Sequence, residues 1–224
     1  QGASVGLHYN RSPRGVEELV EEFGADRAVP IQADLEDYQQ TAALFQAVLK
    51  QMKNIDSLVL NAGIFEPHSV SDPLDSWLKV WERTMKINLE SAGILTKLFL
   101  QHFQENKQGR IIYIGSRAAL RGETEEYLAY AASKGGLSSL AKTVARSFGK
   151  YNIKAFVVAP GFIRTDMAME AISNIGEEKI LDELALNRLT TPEDIAPVVA
   201  LLCSGRLDHA TGTTIDINAG SHIR

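Results

Sequence analysis

Hydrophobic positions along this chain follow two alternating rhythms. Short apolar runs recur at Ala3–Tyr9, Ala28–Gln32, Ile55–Leu60, Arg110–Ile114, Lys154–Val158 and Thr213–Ile217, each of a length that suits a strand buried on both faces. Between them, apolar residues return every three or four positions, the signature of a helix with one buried stripe. Val16, Leu19, Val20 and Phe23 form the first stripe, with Ser12-Pro13 reading as its cap and first turn and Gly24 as its end. Leu44, Phe45, Val48 and Leu49 form the second, after Asp34-Leu35-Glu36-Asp37. A long helical pattern spans about Asp75 to Phe103, where Gly93 and small neighbours suggest close helix packing. Another helix carries Tyr130 and Lys134, Met167 to about Leu186 is amphipathic, and Thr191-Pro192-Glu193-Asp194 carries a capping signal.

Strands alternating with helices imply parallel pairing through right-handed crossovers. The expected fold is α/β, a doubly wound, Rossmann-like parallel sheet in three α/β/α layers. No repeat, low-complexity segment or linker divides it, and 224 residues suit a single domain, residues 1–224. A net charge of −5 without a Lys/Arg-rich run argues against nucleic acid as a partner. Cys203, the one cysteine, sits in an apolar helical pattern and reads as packing, which fits a reducing, cytoplasmic setting. No run of about 18 apolar residues exists to span a membrane, and no membrane partner is expected. The five histidines show no metal-ligand spacing, so no metal is expected.

Chemistry concentrates between Arg110 and Ala145. Tyr130 and Lys134 are four apart on a helix and share one face. A nearby ammonium favours a phenolate, so Lys134 is expected to lower the tyrosine's pKa. Ser116 ends the preceding strand, at the sheet edge where α/β folds bind ligands, and its hydroxyl can hold a carbonyl oxygen while Tyr130 delivers a proton. Ser133 is a competing hydroxyl. Tyr127 is a competing phenol, but Ala131 stands where it would need a lysine. Gly135 and Gly136 follow, at a helix-interior cost of roughly 1 kcal/mol each, as expected where something approaches the backbone.

Ser116 and Tyr130-Ala-Ala-Ser-Lys134, Asn61-Ala62-Gly63 after a strand, Asn88 inside a long helix, and Pro160–Met167 after a later strand resemble the short-chain dehydrogenase/reductase family. The resemblance covers nearly the whole chain. Within the family, RIIYIGS, PGFIRTDM and TGTTIDINAGSHIR look most like 3-oxoacyl-[acyl-carrier-protein] reductases. It implies an NAD(P)-dependent enzyme that reduces a ketone or aldehyde through Ser116, Tyr130 and Lys134, with Asn88 shaping its helix and holding a proton-relay water. Cofactor contacts are implied for Asn61, Ala62 and Gly63 at the adenosine ribose, and for Asp34 and Leu35 by the adenine. Pro160, Gly161, Ile163 and Thr165 match the segment that closes over the nicotinamide, and Ala168–Leu189 the mobile lid after it. Asp34 reads equally as a helix cap. Arg11, with no acid beside it, favours NADP(H) over NAD(H).

The implied partner is a small-molecule carbonyl substrate, with a 3-oxoacyl thioester on acyl-carrier protein as one candidate and a sugar or other small alcohol as another. Arg117 and Arg121 could meet that acidic carrier, although each reads as an ordinary surface charge. A homodimer or homotetramer is implied through the two long helices. The competing class is a non-catalytic nucleotide-binding or scaffold protein on the same fold. It gains weight because the family's opening strand and glycine-rich turn have no counterpart here: Gly2-Ala-Ser-Val-Gly6 mimics the spacing but reads as the family's second strand. The domain is therefore expected to be N-terminally incomplete, its sheet bearing two unpaired edges and an exposed apolar face.

Overall fold

The computed structural model describes residues 2–52, 54–165, 172 and 176–223. The first half holds β1 (Val5–Tyr9), α1 (Arg14–Phe23), β2 (Ala28–Gln32), α2 (Tyr38–Gln51) and β3 (Ser57–Leu60). Next come α3 (Leu74–Met85), one π turn (Lys86–Glu90) and α4 (Ser91–Asn106), followed by β4 (Gly109–Ile114), the short α5 (Ala118–Arg121) and α6 (Leu128–Phe148). The remaining elements are β5 (Ile153–Pro160), α7 (Glu177–Asp182), α8 (Pro192–Cys203) and β6 (Thr214–Ile217).

Every strand pairing is parallel, and the apolar runs explain why. Successive side chains leave a strand on opposite faces, so a strand covered on both sides needs apolar residues throughout. Along β4, Ile111 and Tyr113 join the cluster built with α2, α4 and α6, whereas Ile112 and Ile114 join the cluster under α8. β5 divides its residues the same way, Ala155 and Val157 to one face, Phe156 and Val158 to the other. The result is the three-layer α/β arrangement expected from the pattern.

The sheet is nevertheless split. β3-β4-β5-β6 form one ladder and β1-β2 another. Between β1 and β3 lies a cavity of about 620 Å³, walled by Val5–His8 on one side and Ser57–Leu60 on the other, with Leu44, Leu95 and Phe99 contributing from the helices. Val5 is 47% exposed and Val59 40%, high values for apolar strand residues. The same cavity reaches Leu35, Asn61, Ala62 and Asn88.

Several local expectations change. Pro13, not Ser12, occupies the cap of α1, without a side-chain hydrogen bond, and Gly24 closes the helix at φ 83°. Asp37 rather than Asp34 caps α2, its Oδ1 accepting from the Gln39 and Gln40 backbone N–H groups at 2.7 and 3.3 Å. Asp34 accepts from Glu36 N–H instead, at 3.0 Å. The long helix is interrupted by the π turn, and nothing packs against Gly93 within 4 Å of where a Cβ would stand. The tight approach lies at Gly109, whose Cβ would meet the Phe103 ring at 2.1 Å. The capping box of α8 is present, Thr191 N–H donating to Asp194 Oδ2 at 2.8 Å.

Phe103 is fully buried and cannot step aside. Gly109→Ala is expected to destabilise the fold by roughly 1–3 kcal/mol through overpacking, read as a lower midpoint in urea with an unchanged slope.

Candidate active site

A buried strand that ends in a polar turn presents its last side chains at the carboxyl edge of the sheet. Here β4 delivers Ser116 and β5 delivers Pro160 and Gly161, and the first turns of α6 bring Tyr130 and Lys134 to the same edge. The Ser116 hydroxyl stands near enough to the Tyr130 phenol to favour its ionised form. Both line a cavity of about 100 Å³ together with Phe65, Arg117, Glu123, Gly161, Phe162, Ile163 and Thr165. Phe65 meets Tyr130 edge-on at 4.7 Å between ring centroids and stacks flat on Tyr127 at 3.8 Å, so two aromatic contacts fix the phenol's position.

Lys134 is 4% exposed, and its Nζ donates to the Ile114 carbonyl at 2.9 Å. Burial with no carboxylate partner pushes its pKa down to about 8. Lys134 stands where its ammonium can answer a phenolate, while burial governs the resting phenol. Nζ lies 5.7 Å from the centre of the phenol ring, and burial pushes the phenol up, with the Ser116 hydroxyl acting against it and Glu123 adding to it. A phenol held up in this way keeps its proton, as a proton donor must.

Asn88 sits in the π turn and is 1% exposed. Its Oδ1 accepts from Ile64 N–H at 2.8 Å, while its Nδ2 donates to the Ile64 carbonyl at 3.0 Å and to Ser133 Oγ at 3.2 Å. The amide therefore fastens the segment after β3 to α6, and Ser133 serves this clamp rather than the cavity. Gly136 approaches the same turn: a Cβ there would lie 2.7 Å from Leu89 Cδ2, whereas nothing crowds Gly135. His68 belongs to the support as well. It is 1% exposed, burial holds its pKa down, and its Nε2 accepts the Ala129 N–H at 3.4 Å in the first turn of α6.

The cofactor candidates separate into two places. Asn61 and Ala62 are exposed at the end of β3, and a Cβ on Gly63 would come within 3.4 Å of both Asn88 Oδ1 and Lys134 Nζ. Lys134 spends one N–H on Ile114, the only acceptor it meets among the described residues, so two remain for ribose hydroxyls. Gly63 and Lys134 leave room for a ribose, while Asn61 and Ala62, expected at the adenosine ribose, line the larger cavity. Arg11 is exposed just past β1 and makes no ion pair among the described residues; Asp34, just past the neighbouring β2, lies on neither cavity wall. No glycine-rich turn that could cradle a pyrophosphate occurs among the described residues. Of the expected lid, residues 168–171 and 173–175 lie outside the described residues, while α7 and the Ile163–Thr190 bridge belong to them.

Sequence reasoning missed Phe65 and Glu123, which carry no motif, passed over Phe162 inside the Pro160–Met167 segment, and misjudged Arg117. Its side chain is 2% exposed, far from an ordinary surface charge. Its position directly after Ser116, at a strand end, was the available signal.

A family model described as Enoyl-(Acyl carrier protein) reductase matches residues 1–222. The chain is 32% identical over 223 residues to Nodulation protein G of Rhizobium meliloti (strain 1021), covering 98% of this chain and 87% of that protein. It is 30% identical over 216 residues to 3-oxoacyl-[acyl-carrier-protein] reductase FabG of Aquifex aeolicus, covering 96% and 85%. The FabG of Haemophilus influenzae is 32% identical over 212 residues, covering 95% and 85%.

The buried ammonium makes a testable contribution to stability. Folded Lys134 sheds its proton near pH 8, the unfolded lysine near 10.5. Between those values the unfolded state binds more protons, so the lysine's contribution to stability rises with pH by up to about 3 kcal/mol. Urea unfolding of the protein and of Lys134→Met at pH 7.5 and 10 should show the gap between them shifting in favour of the lysine form by part of that amount. A constant gap would mean an ordinary, solvated lysine.

Proposed function

The chain belongs to the short-chain dehydrogenase/reductase family and is an NAD(P)-dependent oxidoreductase of that kind, and from that premise we propose that it reduces a ketone or aldehyde to an alcohol with NADPH preferred. The observation that carries this reading is that Ser116 and Tyr130 line one cavity, with Lys134 buried one helical turn behind. When bound, the nicotinamide cofactor supplies a hydride to the carbonyl carbon. Tyr130 then gives its phenolic proton to the carbonyl oxygen, and Ser116 Oγ donates a hydrogen bond to that oxygen as charge develops on it. The ammonium of Lys134 stabilises the phenolate left behind and offers its free N–H groups to the ribose. Asn88 acts at one remove, by holding Ile64 and Ser133 and through them the loop and helix that flank Lys134.

Two relatives named 3-oxoacyl-[acyl-carrier-protein] reductase make a 3-oxoacyl thioester on acyl-carrier protein the comparison substrate any assay must include. Arg11, exposed and unpaired among the described residues, supports recognition of a 2′-phosphate. We read the slot between β1 and β3 as the seat of one more parallel strand, whose following turn would supply the pyrophosphate's backbone donors.

Tyr130→Phe removes the acid and keeps the ring packed on Phe65. Turnover of a carbonyl substrate should fall ~10²–10⁴-fold with the thermal midpoint nearly unchanged; near-normal turnover would refute the assignment. Arg11→Ala should raise Kd for NADPH about 10- to 100-fold and leave NADH binding almost untouched, as read by fluorescence titration with both cofactors.

A further inference from the structure

Arg117 combines deep burial with an unmet valence. Its side chain is 2% exposed, and Nη1 has no hydrogen-bond partner among the described residues. A guanidinium carries five N–H donors and keeps its charge, and an unpaired buried one is costly. Nη2 donates to Glu183 Oε2 at 3.2 Å, an oxygen that also receives Arg121 Nη1 at 3.0 Å. The guanidinium carbon stands 5.0 Å from the centroid of Phe162. Glu123, on the same cavity, makes no hydrogen bond to Arg117, and burial pushes its carboxyl toward the neutral form. Nη1 is therefore a buried, charged donor without an acceptor among the described residues, on the cavity it shares with Ser116 and Tyr130.

Resting on the reading that Ser116 and Tyr130 hold the substrate carbonyl, we propose that Arg117 binds a carboxylate on the substrate, making a small oxo acid the compound reduced here. The remaining walls, Phe65, Phe162 and Ile163, are apolar and suit the short carbon chain between the two groups. The cavity of about 100 Å³ suits a small compound. A neutral ketone or thioester would offer Nη1 no anionic acceptor. Arg117 thereby selects among carbonyl compounds without touching the reacting atoms.

The test compares acetoacetate and levulinate with their methyl esters and with an acetoacetyl thioester, in NADPH-driven reduction by the full chain and by Arg117→Met and Arg117→Lys. The acid should exceed its ester in kcat/KM by about 10- to 100-fold, mainly through KM. The ratio should fall to near one in Arg117→Met and recover in part in Arg117→Lys. Equal use of acid and ester, or preference for the thioester, overturns the carboxylate site and leaves the reductase standing. Calorimetry with butanoate and butyramide, which cannot be reduced, reads the site without turnover. Butanoate binding that is lost in Arg117→Met, in a protein that reduces no carbonyl, would retain the site and sink the reductase reading. If Arg117→Met does not fold, the acid-to-ester ratio and the butanoate-to-butyramide contrast of the unaltered chain decide, and no preference for the anion overturns the proposal.

Discussion

The side-chain amide of Asn88 fastens together parts that fold from distant stretches of chain. Both ends of the amide engage Ile64, and its remaining N–H reaches Ser133 on α6. The π turn of residues 86–90 carries it there, and π turns inside helices recur where side chains must be placed for function. With a fully buried amide, any displacement of Ile64 or Ser133 strands a polar group away from water. The position of α6, and so of Tyr130 and Lys134, is tied to the edge of β3 by this one residue. Phe65 adds a second tie in the same place, wedged against both Tyr127 and Tyr130.

On that frame the electrostatics run against ionisation. The Tyr130 phenol is pushed up and the Lys134 ammonium down, each by burial, so both groups lean toward their neutral forms. Proton transfer away from the phenol creates a charge that the nearby ammonium answers. Part of the burial cost already present in the resting lysine is thus returned as the reaction proceeds. A residue of this kind is destabilising at rest and useful in the act, which is where folded proteins keep their strained groups.

Much of this was legible in the chain, and the reason is periodicity. β4 and β5 read as unbroken apolar runs because both faces are covered, and the Tyr130–Lys134 spacing is the pitch of the helix itself. The capping box at Thr191 and Asp194 was visible because its partners are three residues apart. What stayed hidden depends on contacts across the chain. Asp34 and Asp37 are equivalent caps until backbone direction selects Asp37. Gly93 and Gly109 are both glycines near a helix, and only the position of Phe103 distinguishes them. His68 acquires its role from Ala129, sixty-one residues away. Arg117 looks like any surface cation until α7 and Phe162 are laid over it.

Cys203 gives the split sheet one more property. The chain's single thiol ends α8 and stands on the wall of the cavity between β1 and β3. Burial pushes its pKa up, which keeps the thiolate fraction small. Its rate of alkylation therefore depends on what fills the space beside it. The molecule carries, at its least paired point, a built-in chemical gauge of how well its two halves are joined.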